Sequence, residues 1–528
     1  MSTYFPNEKI YYFIVLLLAC VLCFVNLGGH PIYILDEAKN AEAAREMLLN
    51  QDWITPTFNG ELRTDKPPLH YWFMKVSYEI FGVNAFSARF FSAVFGVLTI
   101  LTTFHYTRKF MGLKMGLMAA FVFLSAIFFV QEFHLAVPDP YLIFFVSFGL
   151  FQFFDFYRYR KKLAWFLFYS SLGLGILAKG PVAIALPGIS IFIFLLMNKD
   201  FNWKSILAIN PFLGLILSFA IAAPWYYLVH QATNGAYTEG FFFEHNFQRF
   251  SGEMEGHGGL PFVTWAFVLL GLLPFSFFII QGLVQGWKKR KTDEYLLFSW
   301  VIAAVFIVFF SISQTKLPNY PMPSYPFIVV LIGFYLAQLL EGNLPLKGYK
   351  ISLWVWLVIS ILMPIGGFIA FTLAEKQLEP VRFVSLSLIV LPIGSILAMI
   401  FLKRNQLKQS LASIGISSMI MTILLFSWVY PNLLTQSPLV MAKGILDSNS
   451  KTIVYKGYDP AFLFNFERNL PIADTKEEVL KFLAENPTGN VITKEKFIEQ
   501  DWQDFPMEIQ LKQKAIFENY TIVIFKPK

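Results

Sequence analysis

Long stretches without a charged side chain decide what this chain can become. Residues 205–229, 295–312, 323–340, 351–373 and 383–402 contain no Asp, Glu, Lys or Arg. A hydrocarbon core about 30 Å thick is crossed by roughly 20 apolar helical residues, with every backbone polar group satisfied inside the helix. So many runs of this length point to a polytopic all-α membrane protein. Composition agrees: 56% of the 528 residues are hydrophobic and only 15% are charged. The spacing predicts about thirteen transmembrane helices, at 10–28, 85–106, 115–131, 140–157, 163–178, 182–197, 205–229, 261–283, 295–312, 323–340, 351–373, 383–402 and 410–429. The pair meeting at Ala178-Lys179-Gly180-Pro181 reads as a tight outer hairpin or as one broken segment.

Basic residues fall in alternate loops, such as Arg108-Lys109, Arg158 to Lys162, Lys288 to Lys291 and Lys403-Arg404. By the positive-inside rule these loops are cytoplasmic, which places the amino terminus inside and the carboxy terminus outside. The net charge of +7 therefore orients the protein and is no sign of nucleic acid binding. Cys20 and Cys23 lie within the first apolar run and read as buried apolar residues, with no other ligand nearby. That run follows Lys9 and lacks a small-residue cleavage site, which reads as a retained signal anchor. From Met441 onward the charged fraction rises. Strands are expected at 451–455 and 520–525, and an amphipathic helix at 475–486. The expectation is a membrane domain over 1–435 and a small soluble α/β domain over 436–528, periplasmic in a bacterium.

The outer loops carry the chemistry. Residues 34–72 hold Asp36-Glu37, apolar positions at helical spacing, the turn Asn59-Gly60, and Asp65-Lys66-Pro67-Pro68. This pattern predicts two short helices on the membrane surface, joined by a loop that ends on a lysine fixed by two prolines. The second outer loop runs into Asp139-Pro140, the third holds Glu244-His245 and Arg249, and the fourth holds Lys316 and Tyr320. Each has a plain structural reading. Asp36 and Asp139 suit helix N-caps, and the cations suit snorkelling to headgroups. Acids, a histidine and several cations gathered at one interface are the stronger signal.

These motifs, with Asp36-Glu37-Ala38-Lys39, Asp65-Lys66-Pro67-Pro68-Leu69, Ala178-Lys179-Gly180-Pro181, Glu244-His245-Asn246 and Ser313 through Tyr320, occur in a recognisable order. The sequence resembles the bacterial branch of the dolichyl-phosphate-mannose–protein mannosyltransferase family, which includes the lipid A aminoarabinose transferases. The resemblance implies a GT-C fold and an inverting hexosyl- or pentosyltransferase of the inner membrane. Its donor would be a sugar on a polyprenyl phosphate, and its acceptor lipid A, another glycan or a protein. It implies Asp36 and Asp139 as catalytic carboxylates, and Lys66, Arg249 and Lys39 at the donor phosphate. Glu37, Lys316 and Tyr320 would touch substrate. Asp65 and His245 would stand where relatives hold a divalent metal such as zinc or magnesium.

Elementary chemistry agrees with this. Fixed cations stabilise a departing phosphate, and a carboxylate orients or deprotonates an acceptor hydroxyl. A transporter or flippase of lipid-linked sugars is the rival reading. It predicts ionisable residues near mid-bilayer on broken helices, whereas these lie at helix ends on one side.

Overall fold

In the computed structural model, residues 8–247, 259–446, 450–516 and 518–528 are described, with the side chains of 244–247 left out. The uncharged runs are helices. Among the described residues, eight are long and apolar enough to cross a membrane. They are Ala85–Met111, Asp139–Tyr159, Trp203–Ala232, Glu294–Ile312, Met322–Leu340, Lys347–Ala374, Lys376–Lys403 and Leu407–Leu434. The pair Phe262–Gly271 and Phe275–Lys289 makes a ninth if it is one span, although it is bent by 117°. An unbroken helix over 261–283 was the expectation. The break falls where Pro274 withdraws a backbone donor from the ladder.

One other expected helix also divides, and the expected pair around Lys179 forms as two helices. The run 115–131 becomes Leu113–Leu124 and Ile127–Glu132, with Ala126 extended between them. At the break the Ser125 hydroxyl donates back to the Phe121 carbonyl at 2.7 Å, a bond that competes with the helical ladder. At 180 the chain makes two helices, Lys162–Lys179 and Val182–Met197. Gly180 takes φ 83°, which a side chain would strain. The helices fold back so closely that a Cβ on Gly175 would lie 2.8 Å from that of Ala183.

The first loop forms the helices Leu35–Leu49 and Leu69–Phe81. Between them, β1 (Thr57–Phe58) and β2 (Glu61–Leu62) form a tiny hairpin. Asn59 and Gly60 turn it with φ 54° and 82°, the paired positive angles a two-residue hairpin needs. Ala38, Ala41, Ala43 and Ala44 are all buried, so small side chains let this helix seat against its neighbours.

The carboxy-terminal residues form β3 (Thr452–Tyr455), β4 (Ile472–Ala473), β5 (Asn490–Lys494), β6 (Met507–Lys514) and β7 (Thr521–Pro527). The sheet order is β4-β3-β5-β7-β6. β3 runs parallel to β4 and β5, and β7 runs antiparallel to β5 and β6. The helix Lys476–Glu485 starts on a capping box made by Thr475 and Glu478. This sheet region grips the first loop. Asn59 exchanges two 3.0 Å hydrogen bonds with the Leu470 backbone. Arg45 donates to the Glu467 carbonyl, and Asn465 donates to that of Ile32.

Candidate active site

The helix Leu35–Leu49 begins after Ile34, and no side chain caps it. Asp36 therefore lies inside the first turn and does not serve as the N-cap. The helix N-terminus itself favours a negative charge there. Its carboxylate is 44% exposed and faces a cavity of about 480 Å³. Lys66 Nζ stands 3.8 Å from one of its oxygens and Arg63 Nη2 stands 3.9 Å from the other. Burial works to raise the Asp36 carboxyl, but Lys66, Arg63 and Lys179 outweigh it and hold the group below the usual carboxylate range.

Lys66 is 6% exposed on the cavity wall. Pro67 and Pro68 restrict the chain after it, and the Tyr237 hydroxyl donates to its carbonyl at 2.7 Å. Gly240 lies against the same loop, where a Cβ would come within 2.8 Å of Thr64 Oγ1. The segment Gly240–Phe247 thus starts on the lysine loop. It contains the backbone of His245, whose side chain lies outside the described residues, as does all of Arg249. Lys39 lines the cavity one turn beyond Asp36 and has no ion-pair partner among the described residues.

Asp139 opens the helix Asp139–Tyr159 without a capping bond from any side chain. It is 1% exposed, forms an ion pair with Lys179, and does not line the cavity. Tyr320 lies with its ring 5.1 Å from the Lys179 ammonium, supporting that pair.

Two expected substrate contacts, Glu37 and Lys316, turn to other partners. Glu37 turns from the cavity into a two-pronged bond with Arg89 at 2.7 and 3.0 Å, and also accepts from the Ala136 amide at 3.0 Å. A buried charge must be paired, and this one ties the first loop to the second. Lys316 bonds the Ser313 carbonyl and closes its own loop, so that Leu317, Pro318 and Asn319 face the cavity instead. Asp65 engages Arg63 at 3.2 Å. The other residue expected at a metal, His245, has its side chain outside the described residues.

The motifs did not mark Arg63, Lys179 or Glu132 as site residues. Arg63 reaches Tyr71 at 3.0 Å and Asn40 at 3.2 Å as well as both aspartates, and so frames the Asp36 side of the site. Its one sequence signal is its place inside the charge-rich stretch 34–72. Glu132 lines the cavity, and its signal is a single acid at the end of an apolar run.

Residues 65–228, which contain Lys66, Asp139 and Lys179, match the family described as dolichyl-phosphate-mannose-protein mannosyltransferase. An uncharacterized protein of Aquifex aeolicus is 31% identical over 66% of this chain and 68% of its own length. The chain belongs to this family. Membership brings the reaction class, glycosyl transfer, and a multi-pass membrane protein. An undecaprenyl phosphate-alpha-4-amino-4-deoxy-L-arabinose arabinosyl transferase of Pseudomonas aeruginosa is 28% identical over 60% of this chain and 58% of its own. The fold matches ArnT from Cupriavidus metallidurans, crystallised with undecaprenyl phosphate, at TM-score 0.80 and 21% identity over 98% of both chains. The archaeal oligosaccharyltransferase AglB from Archaeoglobus fulgidus matches at TM-score 0.51 and 13% identity, over 92% of this chain and 70% of that one. The family fold is thus the GT-C fold, with the cavity lined by loops and by the ends of helices.

Proposed function

We propose that this protein moves a sugar from undecaprenyl phosphate, or a similar polyprenyl phosphate, to an acceptor at the outer face of the inner membrane. The observation that carries this reading is one wall of the cavity, where Asp36 stands beside Lys66 and Arg63 with Lys39 one turn away. The bond from the anomeric carbon to the phosphate oxygen breaks, and its electrons leave with the phosphate. Lys66 and Lys39 meet that growing charge, together with Arg249 from the third loop. Charge that grows in the transition state is where fixed cations lower the barrier. Asp36 stays ionised among its cations and offsets positive charge on the anomeric carbon, while Asp139 holds Lys179 in place.

The finer membrane reading accompanies this one. Thirteen crossings keep the amino terminus cytoplasmic and put the region 436–528 outside, as a separate domain over a membrane part of 1–435. The support is the alternation of basic loops.

The test uses purified protein in liposomes with undecaprenyl-phosphate-linked hexose and pentose donors and a crude lipid and glycan acceptor fraction. Undecaprenyl phosphate release is read by mass spectrometry. The wild type should release it, and Lys66→Ala should lose on the order of 10²–10³ in rate, as for removal of one donor to an oxyanion. Unchanged turnover in Lys66→Ala would remove Lys66 from the phosphate site.

A further inference from the structure

A third carboxylate shares this cavity with Asp36. Glu132 ends the short helix Ile127–Glu132, where the broken run turns into the second outer loop. It is 8% exposed and lines the cavity together with Asp36, Lys39 and Lys66. The Asn319 side chain stands near its carboxyl and works to lower it. Its Oε1 is shielded from solvent and has no hydrogen-bond partner among the described residues. The charged groups around it are Asp139, Lys179 and Asp36, with the Tyr325 phenol also close. A buried acceptor with no donor is rare in a folded protein, and it leaves this carboxylate an open position for a proton.

We propose that Glu132 is the general base that takes the acceptor's proton, and that the attacking group is a hydroxyl, not a phosphate. This rests on the transferase reading above. Two carboxylates in one cavity divide the work when their surroundings push them apart. Asp36 sits among cations, stays ionised, and is a weak base. Burial, followed by the nearby Asp139, raises Glu132 well above the usual glutamate range, against the pull of Lys179. A base whose conjugate acid lies near the working pH accepts a proton most effectively.

The step balances. The acceptor oxygen forms the new bond to the anomeric carbon, and its proton goes to the Glu132 carboxylate. The carbon–oxygen bond to phosphate breaks, with its electron pair leaving on the polyprenyl phosphate. Glu132 then returns the proton to water through the cavity mouth. A phosphate monoester acceptor is largely an anion at neutral pH and needs no base. It would also bring an anion against the Glu132 carboxylate on the cavity wall, and Lys179 nearby is already paired with Asp139.

The test uses the full-length protein in liposomes, with the undecaprenyl-phosphate-linked donor that the wild type turns over. Two acceptors are compared, an alkyl glucoside with hydroxyls only and phosphatidic acid with a phosphate monoester only. The wild type should glycosylate the glucoside and leave phosphatidic acid unchanged. Glu132→Gln should lose about 10²–10⁴ in kcat, the usual share of a general base, with undecaprenyl phosphate affinity and melting temperature no lower than wild type. Glu132→Asp should keep part of the rate with a displaced acidic limb in its pH profile. Transfer by the wild type to phosphatidic acid alone overturns the proposal. So does a Glu132→Gln rate within threefold of wild type on the glucoside. If the wild type releases undecaprenyl phosphate from none of the linked donors, the transferase reading itself has failed and this one falls with it.

Discussion

Asp36 faces the cavity because its helix starts two residues earlier than a capping role would require. Ile34 precedes the helix, and the Asp36 carboxylate is left to Lys66 and Arg63. Asp36→Asn keeps the shape and removes the charge. It should lose roughly 10²–10³ in turnover while still binding undecaprenyl phosphate, measured by transfer and by lipid binding on the same preparation. The sign of its pH dependence follows from the depressed carboxyl. The unfolded value is about 3.9 and the folded value lies below it. The stabilising contribution is complete above the unfolded value and is lost as pH falls through the folded one. Activity at neutral pH should therefore show no step from Asp36. Glu132 behaves in the opposite sense. Its raised folded value lends stability that is complete below about 4.3 and is lost as pH rises through the folded value.

At the scale of elements, the site depends on how the first loop is bolted to its neighbours. Arg89, on the helix Ala85–Met111, holds Glu37 with both side chains fully buried, and also donates to the carbonyls of Leu27 and His30. Removing one partner leaves a buried charge unpaired, which costs about 3–5 kcal/mol. Arg89→Met should lower the thermal midpoint in detergent and depress transfer, because the helix bearing Asp36 loosens. The double variant Arg89→Met with Glu37→Met should recover most of the midpoint, since it leaves no lone charge behind. A single variant no less stable than wild type would show the pair to be dispensable. Helix breaks matter at this scale too. The division at Ser125-Ala126 delivers Glu132 to the cavity, and an unbroken helix would have carried it in a different direction.

At the scale of the molecule, the sheet region and the membrane helices meet over the first loop. Asn59, Arg45 and Ile32 all bond to residues between 465 and 470. That arrangement fits a site whose loop is held on one side by helices and on the other by the sheet. Orientation is checked by labelling. With Cys20 and Cys23 replaced by Ala, single cysteines at Glu61, Gln314 and Glu477 should react with an impermeant thiol reagent from the outer side. One at Thr292 should react only after permeabilisation. Outer labelling at Thr292, or its absence at Glu61, would invert the topology and remove the lipid-donor argument.

The sequence by itself determined a helical membrane protein, because uncharged runs of bilayer length have no other stable home. It also determined the two helices of the first loop and the turn at Asn59-Gly60, and it singled out Asp36, Lys66 and Asp139 as conspicuous charges in an apolar chain. Tertiary structure decided which charges face the cavity. Glu37 and Asp36 are adjacent in sequence, yet one is consumed by Arg89 and the other looks into the cavity, since successive helical residues point about 100° apart. Arg63, Lys179 and Glu132 come from three separate segments, and no local pattern brings them together. Their meeting is a product of folding. It depends on where helices break and which buried charges find partners, both of which are settled by contacts far apart in the chain.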